Sequence, residues 1–309
     1  MDETDLRICA MLNANSRISF RELAQKLDLS VQAVHKRVQI LIETGVLAGF
    51  MADLSLNFIK AFPVGVTGVS TAKYVDRTAR SLGEDDSTYI VHASGDVISV
   101  LALLRSSSDL ERYLEFVRKK ASMKDPIVAL ITAMGYPDLV KIKKLDEALE
   151  LTPLDLRIVR SLHTDSRKEI VDIAKELGIS AKTVKRRLKC MIDAGAIDFS
   201  VDFNASAQTG LVSVAYMQLK SGSEKGPFLA GMKRLFGPRI LFACTFSNIL
   251  DNISLYIWSS SIKESREVEK TLREQPQTEA LKIVLMQYKF QFPTWREKLL
   301  EQKADVAQG

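Results

Sequence analysis

The sequence predicts an α+β fold in which one two-domain unit occurs twice in tandem, on the evidence of chain length, an internal repeat and a change of periodicity within each copy. The chain has 309 residues, which is too many for one ordinary core. At a constant offset of 150, Asp5-Leu6-Arg7-Ile8 recurs as Asp155-Leu156-Arg157-Ile158. A period this long indicates duplicated domains, because solenoid repeats are about 20–50 residues long. Further matched pairs are Ser16/Ser166, Arg17/Arg167, Ala24/Ala174, Val34/Val184, Arg37/Arg187, Ile42/Ile192 and Gly45/Gly195.

Three helical segments are predicted at the start of each copy. Apolar residues at helical spacing between Leu6 and Leu12 indicate the first. Ser19-Phe-Arg-Glu22 fits a capping box that would begin the second helix, and Ser166-Arg-Lys-Glu169 is its counterpart. A short turn follows, after which Ser30 or Ser180 can cap a third helix. The result is a helix-turn-helix in each copy.

The third helix of each copy has one apolar stripe and ends at Gly45 or Gly195. We expect this stripe to be buried, with residues Val34, Val38, Leu41 and Ile42 in the first copy and Val184, Leu188, Met191 and Ile192 in the second. Short alternating stretches at 46–53 and 196–203 predict strands of a two-stranded wing. The sum is a winged helix-turn-helix, whose third helix would enter the DNA major groove.

The outward residues of these third helices are the candidate DNA contacts. They are Ser30, Gln32, His35, Lys36, Arg37 and Gln39 in the first copy, and Ser180, Lys182, Thr183, Lys185, Arg186, Arg187 and Lys189 in the second. A helical hairpin used only for packing is the alternative. Residues 180–189 carry no acid, whereas a solvated helix usually mixes both signs of charge, so DNA contact is favoured there. Glutamine can bond to adenine and arginine or lysine to guanine, while other cations mostly bind phosphate.

After each wing the pattern changes to β-α-β-β-α-β, the ferredoxin-like order. In the first copy, strands are predicted at 62–69, 88–92, 97–104 and 127–133, with helices at 74–82 and 109–120. In the second, strands are predicted at 211–219, 240–245, 253–258 and 281–290, with helices at 227–236 and 263–273. The predicted domains are a winged helix-turn-helix (1–53), a ferredoxin-like domain (54–136), a linker (137–152), a second winged helix-turn-helix (153–203), a second ferredoxin-like domain (204–292), and a C-terminal helix and tail (293–309). Thr294 to Glu297 fits a capping box for that helix, and we expect a frayed tail at 302–309.

This combination resembles the Lrp/AsnC, or feast/famine, family of prokaryotic transcription regulators. The resemblance is carried by Asp5-Leu6-Arg7-Ile8, Ser16-Arg17, Glu22-Leu23-Ala24, Leu29-Ser30, Val34-His35-Lys36-Arg37-Val38 and Glu43-Thr44-Gly45-Val46-Leu47. It implies sequence-specific binding of double-stranded DNA, homo-oligomers that form through the ferredoxin-like domains, and a chain that acts as a covalent pseudo-dimer.

The resemblance also implies a small-molecule effector near the second hairpin, where the family commonly carries Gly-x-x-Asp. Ser94, Gly95 and Asp96 are the candidate residues in the first copy, but the second copy has no glycine at 245–251. A standard amino-acid effector is therefore not implied. The alternative for Ser94-Gly95-Asp96 is a hairpin turn alone.

Composition and motifs exclude several other classes of protein. No run of about 18 uncharged apolar residues is present, and the N-terminus MDETDLR is acidic where a secretory signal would be basic, so we expect a cytoplasmic protein without a membrane segment. Cys9, Cys190 and Cys244 are far apart and are expected to be buried, reduced thiols. The net charge of +5 is compatible with a polyanionic partner.

No catalytic, cofactor or metal site is predicted, and we expect no enzymatic activity. The sequence has no phosphate loop, GxGxxG or HExxH, and the spacing of His35, His92 and His163 suggests no ligand pair. Two alternatives stay open. Siroheme decarboxylases are built from paired Lrp/AsnC-like subunits, and a fused pair could imitate them, with His92 near a tetrapyrrole. The other is a DNA-silent, effector-binding scaffold.

Overall fold

The computed structural model describes residues 1–135, 149–205, 207 and 210–305, with side chains up to residue 301. The predicted linker at 137–152 therefore lies outside the described residues except for 149–152. The helices are α1 (Glu3–Ala14), α2 (Phe20–Leu27), α3 (Val31–Glu43), α4 (Val75–Ser81), α5 (Leu110–Lys120), α6 (Pro153–His163), α7 (Ile170–Leu177), α8 (Ala181–Asp193), α9 (Lys225–Phe236), α10 (Ile262–Arg273) and α11 (Trp295–Asp305). The strands are β1 (Leu47–Leu54), β2 (Phe62–Val69), β3 (Thr88–Ser94), β4 (Val97–Leu104), β5 (Ile127–Gly135), β6 (Ile197–Phe203), β7 (Leu211–Leu219), β8 (Ile240–Phe246), β9 (Asn252–Ser259), β10 (Thr278–Leu285) and β11 (Tyr288–Gln291).

The described residues form two units. The helical unit holds Met1–Lys60 with the described residues of Lys141–Gln208 and Arg296–Gly309. The sheet unit holds the described residues of Ala61–Val140 and Thr209–Trp295. Both predicted helix-turn-helix segments thus share the helical unit, and both predicted ferredoxin-like segments share the sheet unit.

The second helices of the two copies, α2 and α7, begin differently. The hydroxyl of Ser19 accepts a hydrogen bond from the amide of Glu22 at 3.1 Å, so the serine half of the predicted capping box is present. The counterpart predicted at Ser166 is wrong. Helix α7 begins after Glu169, which makes no side-chain cap, and Ser166 is fully buried against Ser16.

Each helix-turn-helix has its own apolar core, built from equivalent residues. The pairs with almost no exposed surface are Ile8/Ile158, Leu12/Leu162, Leu23/Ile173, Val34/Val184, Val38/Leu188 and Leu41/Met191. The predicted core positions Ile42 and Ile192 are wrong, since they are 40% and 44% exposed. Each follows the last buried position of its helix by one residue, which turns its side chain toward solvent.

The two wing stretches pair with each other. Strands β1 and β6 form one antiparallel two-stranded sheet, with Phe50 opposite Val201. Leu54 of the first copy lies in the core of the second copy, and Val201 of the second lies in the core of the first. Burying one such side chain contributes about 1.5–3 kcal/mol, so the strand exchange ties the copies together.

The sheet unit has the predicted ferredoxin-like elements. Its described strands form a nine-stranded sheet in the order β10-β7-β9-β8-β5-β2-β4-β3-β11, in which each copy contributes one block of four neighbouring strands. The strand predicted at 281–290 is two strands, because β10 pairs with β7 of its own copy whereas β11 pairs with β3 of the other. In the same way β5 pairs with β2 and then with β8. The C-terminal segment of each copy therefore pairs with both copies, through the single strand β5 in the first and through β10 and β11 in the second.

Two other expectations need correction. Cys9 and Cys244 are buried as expected, but Cys190 is exposed on α8. The C-terminal helix α11 continues to Asp305, beyond the expected start of the frayed tail, and Leu300 packs in the core of the second helix-turn-helix. No helix in the described part of the chain is both long and apolar enough to span a bilayer.

Candidate nucleic-acid interface

The outward face of α3 is mainly polar. Gln32, His35, Lys36 and Gln39 are exposed, and they lie opposite the buried stripe of the same helix. The side-chain amide of Gln39 donates to the Glu43 carboxylate at 3.1 Å, which leaves its oxygen exposed. The imidazole of His35 meets the Phe20 ring edge-to-face at 5.6 Å. This face offers amide, imidazole and ammonium groups to a partner.

The outward face of α8 is strongly cationic. Lys182, Lys185, Arg186 and Lys189 are all exposed. Lys189 pairs with Asp193 at 2.7 Å, but both side chains are largely exposed, and such surface pairs contribute only about 0–1 kcal/mol. In the described part of the chain, the other three cations form no ion pair. They are available to a polyanion.

Arg37 and Arg187, which we predicted to contact DNA, are turned inward. Arg37 bonds to Asp2 at 2.9 Å and to Asp5 at 2.8 Å. Arg187 Nε donates to fully buried Asp155 at 2.6 Å. Both are only partly exposed, and they join the third helix of each copy to its first. Their role in the fold is structural.

The Asp155 carboxylate is held in its charged form. Burial raises its pKa, but hydrogen bonds from Arg187 and Thr152 outweigh burial and keep the pKa below its usual value. The hydroxyl and the amide of Thr152 both donate to the same carboxylate, at 2.7 and 2.8 Å. Asp155 thereby caps α6 and anchors α8 at once.

The remaining predicted contacts lie at the N-termini of the two third helices. The Ser30 hydroxyl accepts from the Ala33 amide, and the Ser180 hydroxyl accepts from the Thr183 amide, both at 3.1 Å. The hydroxyls of Ser180 and Thr183 lie 2.9 Å apart. These residues cap the helices, and the caps of α3 and α8 are exposed.

A group of hydrogen bonds between the Ser-Arg pairs of the two copies joins the two helix-turn-helix segments, and its role was not predicted. The hydroxyls of Ser16 and Ser166 lie 2.6 Å apart. Arg17 donates to the carbonyl of Ser166, and Arg167 donates at 2.6 Å to the carbonyl of Ile18. Burial lowers the pKa of both guanidinium groups. The repeated Ser-Arg pair was the signal in the sequence, but periodicity could not show that the two pairs meet.

The predicted effector residues form a hairpin turn between β3 and β4. Gly95 has a φ of 59°, in the left-handed region that favours glycine. Its amide donates to the side chain of Gln287 at 3.0 Å. The carbonyl of Asp96 accepts from the amide of Ser70 at 2.7 Å. Ser94 ends β3. This geometry is that of the alternative, a turn, and an effector role for it stays a prediction.

His92 lies on β3 in the sheet unit. Its ring centroid is 5.4 Å from that of Tyr256. Burial, with a smaller contribution from Lys289, lowers the pKa of His92 to about 4. The imidazole is therefore neutral near pH 7 and could act as a ligand or a hydrogen-bond partner.

A partly buried ionic cluster in the helical unit was also missed. Potential ligand atoms of Asp53, His163 and Glu297 lie within 4.8 Å of one another. His163 Nδ1 lies 3.0 Å from an oxygen of Asp53, and Arg296 Nη2 lies 3.2 Å from Asp53 and 3.0 Å from Glu297. Arg296 already compensates much of the negative charge, so the cluster is best described as an ion-pair network.

Comparisons with known proteins agree with this geometry. A family described as "Winged helix-turn-helix DNA-binding" matches residues 1–48, and the "AsnC-type helix-turn-helix domain" matches residues 151–192. An uncharacterized HTH-type transcriptional regulator of Pyrococcus abyssi is 30% identical over 121 residues, which are 38% of this chain and 82% of that protein. The chain belongs to the Lrp/AsnC family. HTH-type transcriptional regulator Ptr1 of Methanocaldococcus jannaschii is 31% identical over 118 residues, 37% of this chain and 79% of Ptr1. At the coarse level, this Lrp/AsnC protein is a helix-turn-helix DNA-binding regulator.

Solved structures correct one prediction. The crystal structure of the siroheme decarboxylase NirDL covers 100% of both chains with a TM-score of 0.62 and 11% identity. A second NirDL structure, in complex with an iron-uroporphyrin III analogue, gives a TM-score of 0.60 and 12% identity, covering 99% of this chain and 100% of that one. The likeness is one of fold. The prediction that the chain has no enzymatic activity was nevertheless wrong to exclude catalysis, because this full-length architecture occurs in an enzyme.

Proposed function

We propose that this Lrp/AsnC protein binds double-stranded DNA as a covalent pseudo-dimer, with α3 and α8 as two non-identical recognition helices. The observation that carries the proposal is the pair of outward faces within one unit. The buried positions of the two helices are apolar in both, whereas three of four outward positions differ in charge: Gln32, His35 and Gln39 are replaced by Lys182, Lys185 and Lys189. A fused duplicate can diverge in this way, whereas a symmetric homodimer cannot.

The two helices should therefore contribute differently. The Gln32 and Gln39 side chains of α3 have the donors and acceptors that can read an adenine edge. The cations of α8 suit phosphate groups, which carry no sequence information directly. We infer an asymmetric DNA site, in which the half-site bound by α3 contributes most of the sequence specificity and the half-site bound by α8 contributes most of the affinity. If the two helices approach one face of the duplex, the half-sites should be spaced by about 34 Å, one helical turn, or a multiple of it.

The connections between the copies support rigid presentation of the two helices. The β1–β6 sheet and the Ser16–Ser166 hydrogen bond lie in the helical unit. Because both join residues of one copy to residues of the other, we expect the spacing of the half-sites to be narrowly defined.

The test is selection of bound duplexes from a random library, followed by binding of the selected sequence over a salt series. We expect an asymmetric motif with two half-sites and a steep dependence of the binding constant on salt. A palindromic motif would contradict the division of roles. Steep salt dependence without sequence enrichment would indicate a non-specific binder. We also expect chains to associate through the sheet unit. Light scattering measures the mass of the particle and so checks whether the chains associate.

The second candidate is a tetrapyrrole enzyme, favoured by the full-length likeness to NirDL and by His92, which is neutral near pH 7 beside Tyr256. Titration of the protein with an iron-uroporphyrin and a difference spectrum tests it. A shifted absorption band that is lost in His92→Ala would support this candidate. An unchanged spectrum together with DNA binding would exclude this candidate and support the DNA-binding regulator.

A further inference from the structure

A basic and aromatic cleft lies in the sheet unit, away from the recognition helices in sequence. It has a volume of about 470 Å³ and is lined by Arg77, Arg80, Ser81, Gly83, Glu84 and Phe292. This volume is within the range of about 300–1,000 Å³ usual for small-molecule sites.

The two arginines of the cleft are held in place without an acid. Arg77 lies over the ring of Tyr74 at 4.8 Å, and Arg80 lies over the ring of Phe290 at 4.7 Å. In the described part of the chain neither guanidinium has an ion pair, although Asp76 is on the same helix. An aromatic face orients a guanidinium while leaving its N–H donors available. Both groups are thus prepared for an anion.

The apolar wall of the cleft is the ring of Phe292, which is half-buried. The backbone amide of Phe292 donates to the carbonyl of Tyr89 at 2.9 Å, which fixes the chain there. The ring passes so close to Gly83 that a Cβ atom at that position would lie 2.2 Å from it. A ring held this firmly can serve as a stacking surface for a planar ligand.

One acid lies at the rim of the cleft. Glu84 forms an ion pair with Lys120 at 2.5 Å, and both side chains are exposed, so Lys120 offsets the charge of the carboxylate only in part. The donors that remain are two guanidinium groups, which match the geometry of a phosphate and can bind it bidentately.

The cleft combines residues of both copies. The arginines come from α4 of the first copy, whereas Phe290 lies on β11 of the second copy and Phe292 follows that strand. At the offset of 150, the residues of α9 that correspond to Arg77 and Arg80 are Pro227 and Ala230, so the second copy cannot form the same anion site.

We propose that this cleft binds a phosphate monoester carrying a planar aromatic ring, with a mononucleotide as the representative ligand. Arg77 and Arg80 hold the phosphate, and the ring lies against Phe292. The proposal does not depend on DNA binding by α3 and α8.

The experiment is isothermal titration of the full chain with AMP, adenosine and inorganic phosphate in parallel. AMP should bind more tightly than either of its parts. The double variant Arg77→Gln/Arg80→Gln should lose about tenfold or more in AMP affinity, because charged hydrogen bonds to the phosphate are removed. Phe292→Leu should weaken AMP binding while leaving inorganic phosphate unchanged. Thermal unfolding of each variant checks that it is folded.

Arg234→Gln on α9 is the matched control, since it removes one exposed cation from the corresponding helix of the second copy. Its AMP affinity should equal that of the unmodified chain. Equal affinity for AMP and inorganic phosphate would overturn the proposal, as would AMP binding that the double variant retains. Absent AMP binding combined with a flatter DNA salt slope in the double variant would also overturn it and assign these arginines to the DNA surface.

Discussion

Replacing Lys182, Lys185 and Lys189 of α8 by Gln, His and Gln should weaken binding to every DNA sequence and flatten its dependence on salt. These are the residues that α3 has at the equivalent positions. All three lysines are exposed, so their removal leaves the buried stripe of α8 intact. The change therefore tests the surface alone.

The magnitude follows from counterion release, in which each lost phosphate contact reduces the slope of log K against log salt by about 0.9. Three contacts set an upper bound of about 2.7. Lys189 must first leave Asp193, but an exposed pair of this kind contributes only about 0–1 kcal/mol, so it does not prevent phosphate contact. Measurement at pH 8 keeps the introduced histidine neutral, since its unperturbed pKa is about 6.5.

Fluorescence anisotropy of a labelled duplex over a sodium chloride series is the assay. The reciprocal variant, Gln32→Lys/His35→Lys/Gln39→Lys on α3, is the matched control and should steepen the slope. Melting temperatures of both variants should stay close to that of the unmodified chain. An unchanged slope in the α8 variant would refute a phosphate-binding role for this helix.

Three other predictions follow from the structure. Gln32→Ala or Gln39→Ala should relax the preference for particular base pairs, at a cost of about 1–3 kcal/mol of binding free energy per good base contact. Competition between DNA duplexes that differ at single base pairs measures this effect. Equal weakening of binding to all sequences would contradict direct readout. Asp155→Asn should lower the free energy of unfolding by about 1.5–3 kcal/mol, because Arg187 loses its charged partner. Since the native pKa of this carboxyl is depressed, its contribution is present above the unfolded pKa near 3.8 and is lost as the pH falls through the native value, so a denaturant series should show the two chains converging in acid. A hydrogen bond to the buried carboxylate of Asp53 raises the pKa of His163 above 6.5. The stabilisation from this pair is therefore complete below pH 6.5 and is lost as the pH rises through the native pKa. His163→Gln should remove this decline from melting temperatures measured over a pH series, and a pH profile equal to that of the unmodified chain would contradict the prediction.

The local pattern was sufficient for most elements. Ser19 and Ser30 cap helices where their spacing to the apolar residues indicated, and the outward residues of α3 and α8 are those that helical periodicity predicted. Such features depend on residues three or four positions apart, which the chain brings together wherever a helix forms. The errors have the same origin. Ser166 has the sequence of a cap, but a buried partner 150 residues away determines its position.

The residues predicted to contact DNA differ in exposure. Four outward residues on each helix are exposed, but Arg37 and Arg187 have the composition of DNA contacts and the geometry of ion pairs. An arginine on a basic helix has the same local signal whether it faces solvent or an aspartate of another helix. The acids that hold these two arginines are more than thirty positions away, so nothing in the helix itself indicates them.

The sequence by itself determined the duplication, the faces that two helices present, and the order of helices and strands apart from the division of 281–290 into two strands, since each of these follows from residue identity and periodicity. Only the tertiary structure decided that β1 pairs with β6, that β11 pairs with β3 and that Ser16 meets Ser166. A strand carries the same alternating pattern whichever edge it joins, and a buried hydroxyl carries no mark of its partner. The choice is made by the free energy of packing distant segments together, which no local stretch of the chain contains.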